Sequence, residues 1–190
     1  RRLPLKRSGR GRKTAPARAP RLRPGYAELA RLGCPQPPHG AWFNEARARR
    51  AAVFFEGGEL DGDPVLPFLC HTKTPEWAGQ PFRLLPWQRD ILRCLFGWRR
   101  EDGRRLYVEL WLEVAKKNGK TEFLAGLALC LLFFERELRG EILSLASERD
   151  QAAIMFDTAK FMVARNPVLA GACEVNKRDI FIPATHSSYK

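Results

Sequence analysis

Apolar and polar positions divide the chain into segments of different period. In residues 107–114, Val108, Leu110 and Leu112 fall on one face of an extended chain, and Tyr107, Glu109, Trp111 and Glu113 fall on the other. That period of two predicts a strand, and the two glutamates place it near a sheet edge or under cover from elsewhere. A polar turn over 115–118 and the triplet Gly119, Lys120, Thr121 follow. Beyond them Phe123, Leu124, Leu127, Leu129, Leu131, Leu132, Phe133 and Phe134 make residues 121–138 apolar nearly all round, which predicts a helix covered on most sides. Ala125, Gly126 and Ala128 are small enough to bring that helix close to a sheet.

The remaining segments are punctuated by prolines and glycines. A short helix is predicted over 26–32, and a moderately amphipathic one over 42–55 that stops at Gly57 and Gly58. Residues 64–82 read as a loop that packs aromatic side chains against the domain. Pro86 suits the first turn of a helix whose apolar face is Ile91, Leu92, Leu95 and Phe96, with Gly97 as its stop. A polar turn over 99–105 leads into the strand already described. A second strand is predicted over 141–147, then a helix over 148–165 capped by Ser147 and ended by Asn166 and Pro167. Residues 173–175 and 180–182 read as a hairpin ended by Pro183, and the last residues read as a loop. Strands that alternate with helices predict an α/β fold with a mainly parallel sheet flanked by helices.

Length and charge change this picture at the ends. With 190 residues and 45% hydrophobic composition, the chain can bury one good core. Its net charge of +12 is concentrated: Arg1, Arg2, Lys6, Arg7, Arg10, Arg12, Lys13, Arg18, Arg21 and Arg23 all precede the first acidic residue, and the rest is close to balanced. Residues 1–24 are therefore expected to form a disordered basic arm, either a solvated tail or a salt-sensitive, sequence-blind contact for nucleic-acid phosphate. Arg1 in place of a methionine and the loop-like approach to Lys190 suggest that both ends are cuts in a longer reading frame.

Cys34, Cys70, Cys94, Cys130 and Cys173 are odd in number and far apart, which fits reduced thiols in a cytosolic compartment. Without C-x-x-C spacings, a zinc site from Cys34, His39, Cys70 and His71 is not supported. The longest apolar run, about 12 residues, is short of the ~20 that span a bilayer, so no membrane partner is expected.

The chemistry lies at the turn before the long helix. Backbone N–H groups and the helix dipole converge there to hold an anion. Gly119, Lys120 and Thr121 match the last three places of the phosphate-binding consensus G-x-x-x-x-G-K-[ST], where lysine meets the β/γ-phosphates and the hydroxyl meets Mg2+; Val114 stands at the first glycine. Lys116 and Lys117 add charge that suits a polyphosphate, and Asn118 completes the turn. Upstream, the Gln88 amide offers a donor and an acceptor together, which matches the edge of adenine, with Trp87 beside it. Both residues also have a plain structural reading, Gln88 as a helix-start residue and Trp87 as core.

Several spaced segments agree in order with a known family. Residues 77–82, 86–88, 116–121, 150–156 and 166–169 together resemble the ATPase domain of the large terminase subunit of tailed bacteriophages, over about residues 40–188. The resemblance implies an ATP- and Mg2+-using motor in the bacterial host cytoplasm that drives double-stranded viral DNA into a prohead. It implies the small terminase subunit and the portal protein as partners, a ring-like oligomer, and a C-terminal nuclease. Carried over by position, Gln88 reads adenine, Lys120 binds phosphate and Thr121 helps to hold Mg2+. Lys116 stands where the family usually has an arginine that senses the γ-phosphate, and it keeps the charge without the planar fork. In these terms residues 1–24 are the arm, 25–80 a helical and loop lead-in, and 81–190 an incomplete phosphate-binding-loop ATPase domain. No apolar strand ending in Asp-Glu follows Thr121, so the chain is expected to bind ATP but not to turn it over efficiently. Two other readings stay open: a non-enzymatic DNA-binding module with an accidental Gly-Lys-Thr, and another phosphate-binding-loop ATPase such as a helicase.

Overall fold

The computed structural model describes residues 25–60, 63–66, 68–72, 76–135, 137–147 and 149–190. The basic arm lies outside the described residues. Helix α1 (Tyr26–Leu32) is followed by β1 (Trp42–Phe43), α2 (Glu45–Glu56), and a hairpin of β2 (Gly58–Leu60) and β3 (Asp63–Leu66). Helix α3 (Pro86–Gly97) runs directly into β4 (Trp98–Arg99), which pairs antiparallel with β1. Next come α4 (Lys120–Phe134), β5 (Glu141–Ile142), α5 (Arg149–Arg165), α6 (Pro167–Ala172), β6 (Glu174–Val175), β7 (Ile180–Ile182) and β8 (Ser187–Tyr189).

Helices α1 to α5 stand close to where the sequence places them, α6 is not among the predicted helices, and local reasons are visible at the helix ends. Asn44 begins α2 by accepting the Arg47 backbone N–H at 2.9 Å, so the two residues before it are free to form β1 instead of the first helical turn. Pro86 occupies the first turn of α3. Helix α4 ends at Phe134, four residues earlier than predicted, and Leu138 is exposed beyond it. Asn166 both ends α5 and starts α6, its side chain accepting from the backbone N–H groups of Val168 and Leu169.

The sheet corrects the expectation of a mainly parallel one. The four-stranded sheet has the order β5-β8-β7-β6, in which only β5 and β8 are parallel, and the two smaller sheets are antiparallel hairpin-like pairs. The loop expected after Pro183 contains a tight turn and then β8, which returns beside β7. The predicted strand over 107–114 is not a strand among the described residues: residues 107–118 make no backbone–backbone hydrogen bond with them. Its alternation survives in part, with Leu110, Leu112 and Val114 half-buried and Trp111 and Glu113 exposed. Likewise only Glu141 and Ile142 of the second predicted strand are paired, and Leu145 is 89% exposed.

One hydrophobic core runs through both the lead-in and the later segment. Phe54, Phe55 and Leu69 share it with Phe96, Phe123, Leu129, Met162 and Tyr189. Within it α4 lies against α2 and α5. The close approach made possible by Gly126 is to the Phe55 ring of α2, not to a sheet.

Candidate functional site

Three features of the sequence converge at the N-terminus of α4. Gly119 has φ +70°, a left-handed conformation that glycine adopts without strain, and it is the residue from which the helix starts. Its carbonyl accepts the Phe123 backbone N–H at 3.0 Å, the first helical bond. Gly119 offers no side chain to cap this end, and the first turn of α4 with its dipole faces the place where an anion would sit. Lys117 is also left-handed at φ +69°, unusual for a residue with a Cβ, and the Asn118 side chain donates to the Ala115 carbonyl at 3.2 Å. The turn is thus folded back on itself in front of the helix.

These residues border an open cavity of about 670 Å³, lined by Val114, Ala115, Lys116, Lys117, Gly119, Lys120, Thr121 and Glu122 together with His71 and Trp77. Three ammonium groups and a helix N-terminus give it a strongly cationic side. Asn118 is exposed and shapes the turn without lining the cavity.

The segment that supplies His71 and Trp77 is anchored to the loop helix by one carboxylate. Glu122 is 7% exposed and accepts both the Thr72 backbone N–H and the Thr72 hydroxyl at 2.7 Å, while its other oxygen is 3.1 Å from His71 Nδ1. The His71 ring stacks on Phe82 with centroids 4.6 Å apart. Sequence reasoning weighed His71 only as a zinc ligand and left Trp77 as a packed loop aromatic. No spacing rule connects residues 71 and 77 to 122, because the link is a tertiary hydrogen bond.

Gln88 and Trp87 are placed elsewhere. Gln88 is 3% exposed, and its Oε1 accepts the Leu85 backbone N–H at 2.9 Å, closing the start of α3. Trp87 packs edge-on against Phe123 at 5.6 Å. Neither lines the cavity.

No group of three His, Cys, Asp or Glu side chains able to hold a metal exists among the described residues. The Thr121 hydroxyl on the cavity is the kind of oxygen ligand that Mg2+ takes, and it would hold an ion that arrived with a phosphate group. The thiol of α4 is not on the cavity: Cys130 is fully buried, and burial pushes it well above the ordinary range.

Residues 86–190, more than half of the chain, match the family described as terminase large subunit, ATPase domain. The chain belongs to this terminase family. Among relatives, the large terminase subunit of Enterobacteria phage HK97 is 35% identical over 112 residues, which is 57% of this chain and 21% of that protein. The crystal structure of the HK97 bacteriophage large terminase is similar with a TM-score of 0.59 and 28% identity, covering 76% of this chain and 26% of that one. The chain therefore spans about a quarter or less of the length of these terminases. Family membership decides among the readings of the sequence, in favour of a terminase ATPase segment over a helicase or a stand-alone DNA-binding module.

Proposed function

We propose that this terminase segment is the nucleotide-gripping part of a viral DNA-packaging motor, with ATP held at the turn over residues 115–121. The observation that carries this reading is the meeting of Lys116, Lys117 and Lys120 with an uncapped helix N-terminus on one cavity, at the loop where the family consensus falls. Lys120 neutralises the β- and γ-phosphates, and the backbone N–H groups of the first turn of α4 orient them. Thr121 presents its hydroxyl to the Mg2+ that travels with the nucleotide. That ion spreads the charge of the phosphate oxygens.

Lys116 reaches the terminal phosphate as a point charge. It contributes attraction but lacks the two-pronged contact an arginine would make. Gln88 fixes the start of α3, whose helix packs on α2, the support of the loop helix.

Grip and turnover separate at this site. Phosphoryl transfer needs a group that orients the attacking water. Among the described residues that line the cavity the carboxylate is Glu122, and it is held by Thr72 and His71. The 190-residue chain accordingly binds Mg·ATP without appreciable hydrolysis. Double-stranded viral DNA, the small terminase subunit, the portal protein and a ring of copies in the host cytoplasm are the partners and setting that this reading assigns to the parent protein.

Calorimetric titration of Mg·ATP into the chain tests the assignment. Lys120→Ala is expected to weaken binding by tenfold or more, since hydrogen bonds to charged groups contribute about 1.5–3 kcal/mol. Affinity unchanged by that substitution would remove the loop from the site.

A further inference from the structure

The cavity has a second character that its lysines do not explain. Trp77 is 59% exposed, yet the loop that carries it is well tied down. The His71 backbone N–H donates to the Gln80 carbonyl, the Gly79 N–H to the His71 carbonyl, and the Gln80 N–H to the Trp77 carbonyl, each at 2.9 Å. A rigid turn that holds a large aromatic ring in solvent at the mouth of a cavity gains nothing for folding, because the apolar area of that ring stays wet.

The neighbour of this ring is equally fixed. His71 meets Trp77 edge-on at 6.2 Å and 72°, has one face covered by Phe82, and is held at Nδ1 by Glu122. Among the described residues, His71 and Trp77 are the aromatic side chains that line the cavity, and the turn over 115–121 supplies cations to it. A cavity with one cationic and one aromatic side, within the usual range of about 300–1,000 Å³, matches a molecule with an anionic and an aromatic end.

We propose that Trp77, braced by His71, is the stacking platform for the base of the nucleotide whose phosphates sit on the turn. The inference rests on the phosphate-loop reading above. It assigns the base contact to the loop before α3. Stacking on a π face is common to all bases, so Trp77 supplies affinity without choosing adenine over guanine.

The experiment compares three ligands, Mg·ATP, Mg·GTP and Mg·tripolyphosphate, on the 190-residue chain and its Trp77→Ala, Trp77→Phe and Lys120→Ala variants. Trp77→Ala is expected to weaken ATP and GTP alike by about tenfold, the loss of one base–aromatic stack, and to leave tripolyphosphate unchanged. Trp77→Phe is expected to restore most of the ATP affinity. ATP affinity unchanged in Trp77→Ala overturns the proposal. Equal losses for ATP and tripolyphosphate also overturn it, since they would make Trp77 a scaffold for the turn. If tripolyphosphate binding does not depend on Lys120, the phosphate-loop reading falls first and this one with it, an outcome that the Lys120→Ala arm reads independently of Trp77.

Discussion

Gly126 of α4 lies so close against the ring of Phe55 in α2 that no Cβ fits between them. Gly126 is in the middle of α4, and Phe55, near the C-terminal end of α2, is fully buried in the core, so the ring has no free space to move into. Gly126→Ala is expected to destabilise the chain by about 1–3 kcal/mol, the cost of overpacking a filled core, and Gly126→Val by more. Thermal unfolding followed by circular dichroism measures both. A neutral Gly126→Val would mean that the two helices are not held at this distance.

Glu122 joins the loop helix to residues 71 and 72, and its removal strands several polar groups at once. Glu122→Ala leaves the Thr72 backbone N–H and hydroxyl without this acceptor, so a loss of about 1–3 kcal/mol is expected. The same variant should weaken Mg·ATP binding several-fold, because the cavity is bounded by both joined segments. Stability and affinity measured on one preparation show whether the two losses go together.

Gly119 has open space where a side chain would go, but its φ of +70° penalises one. Gly119→Ala is expected to cost about 1–2 kcal/mol through backbone conformation alone. Relaxation of that strain would displace the turn, so nucleotide affinity should fall while the folded helix content stays the same. Far-ultraviolet circular dichroism beside a binding titration separates these effects.

Arg93 of α3 ties α1 and α2 together through Glu28 at 2.6 Å and Glu45 at 2.7 Å. Burial alone raises the Glu28 carboxyl, but the Arg93 hydrogen bond and the Gly25 backbone N–H outweigh it and hold it below its ordinary value. A carboxylate depressed in the folded state contributes stability that is present above the ordinary glutamate range and is lost as pH falls through the folded value. The chain should therefore lose stability below about pH 4.5. Arg93→Met should flatten that fall and cost about 1–3 kcal/mol at neutral pH. Melting temperatures of both proteins between pH 3 and pH 7, as a rough range, test the slope.

Local signals carried most of the helices. Pro86, Gly97 and the apolar run before Phe134 each act within one or two turns, so α3 and α4 could be read directly. Pairing could not, because it depends on a second segment. Of the face predicted from Val108, Leu110 and Leu112, the two leucines are half-buried but Val108 is exposed, and no described strand lies beside the segment. Strand β8 was hidden for the opposite reason: Ser187 and Ser188 are small and polar but are 2% and 8% exposed between β5 and β7. At the site, Gly119, Lys120 and Thr121 stood out by the consensus and Lys116 and Lys117 by their charge, and these residues border one cavity. Gln88 carried two readings in sequence, and its side chain closes the start of α3; Trp77 belonged to a segment of the family resemblance without an assigned role and is found on the cavity.

The unpaired segment over 107–114 has a practical consequence. Its backbone donors and acceptors make no backbone hydrogen bond among the described residues, and they lie next to Trp111, which is 94% exposed, and Val108, which is 68% exposed. Such an edge can template the same edge of another copy. At high concentration the purified chain should therefore associate with itself through this seam, and a charge at Trp111, as in Trp111→Lys, should keep it monomeric in light scattering without disturbing the fold.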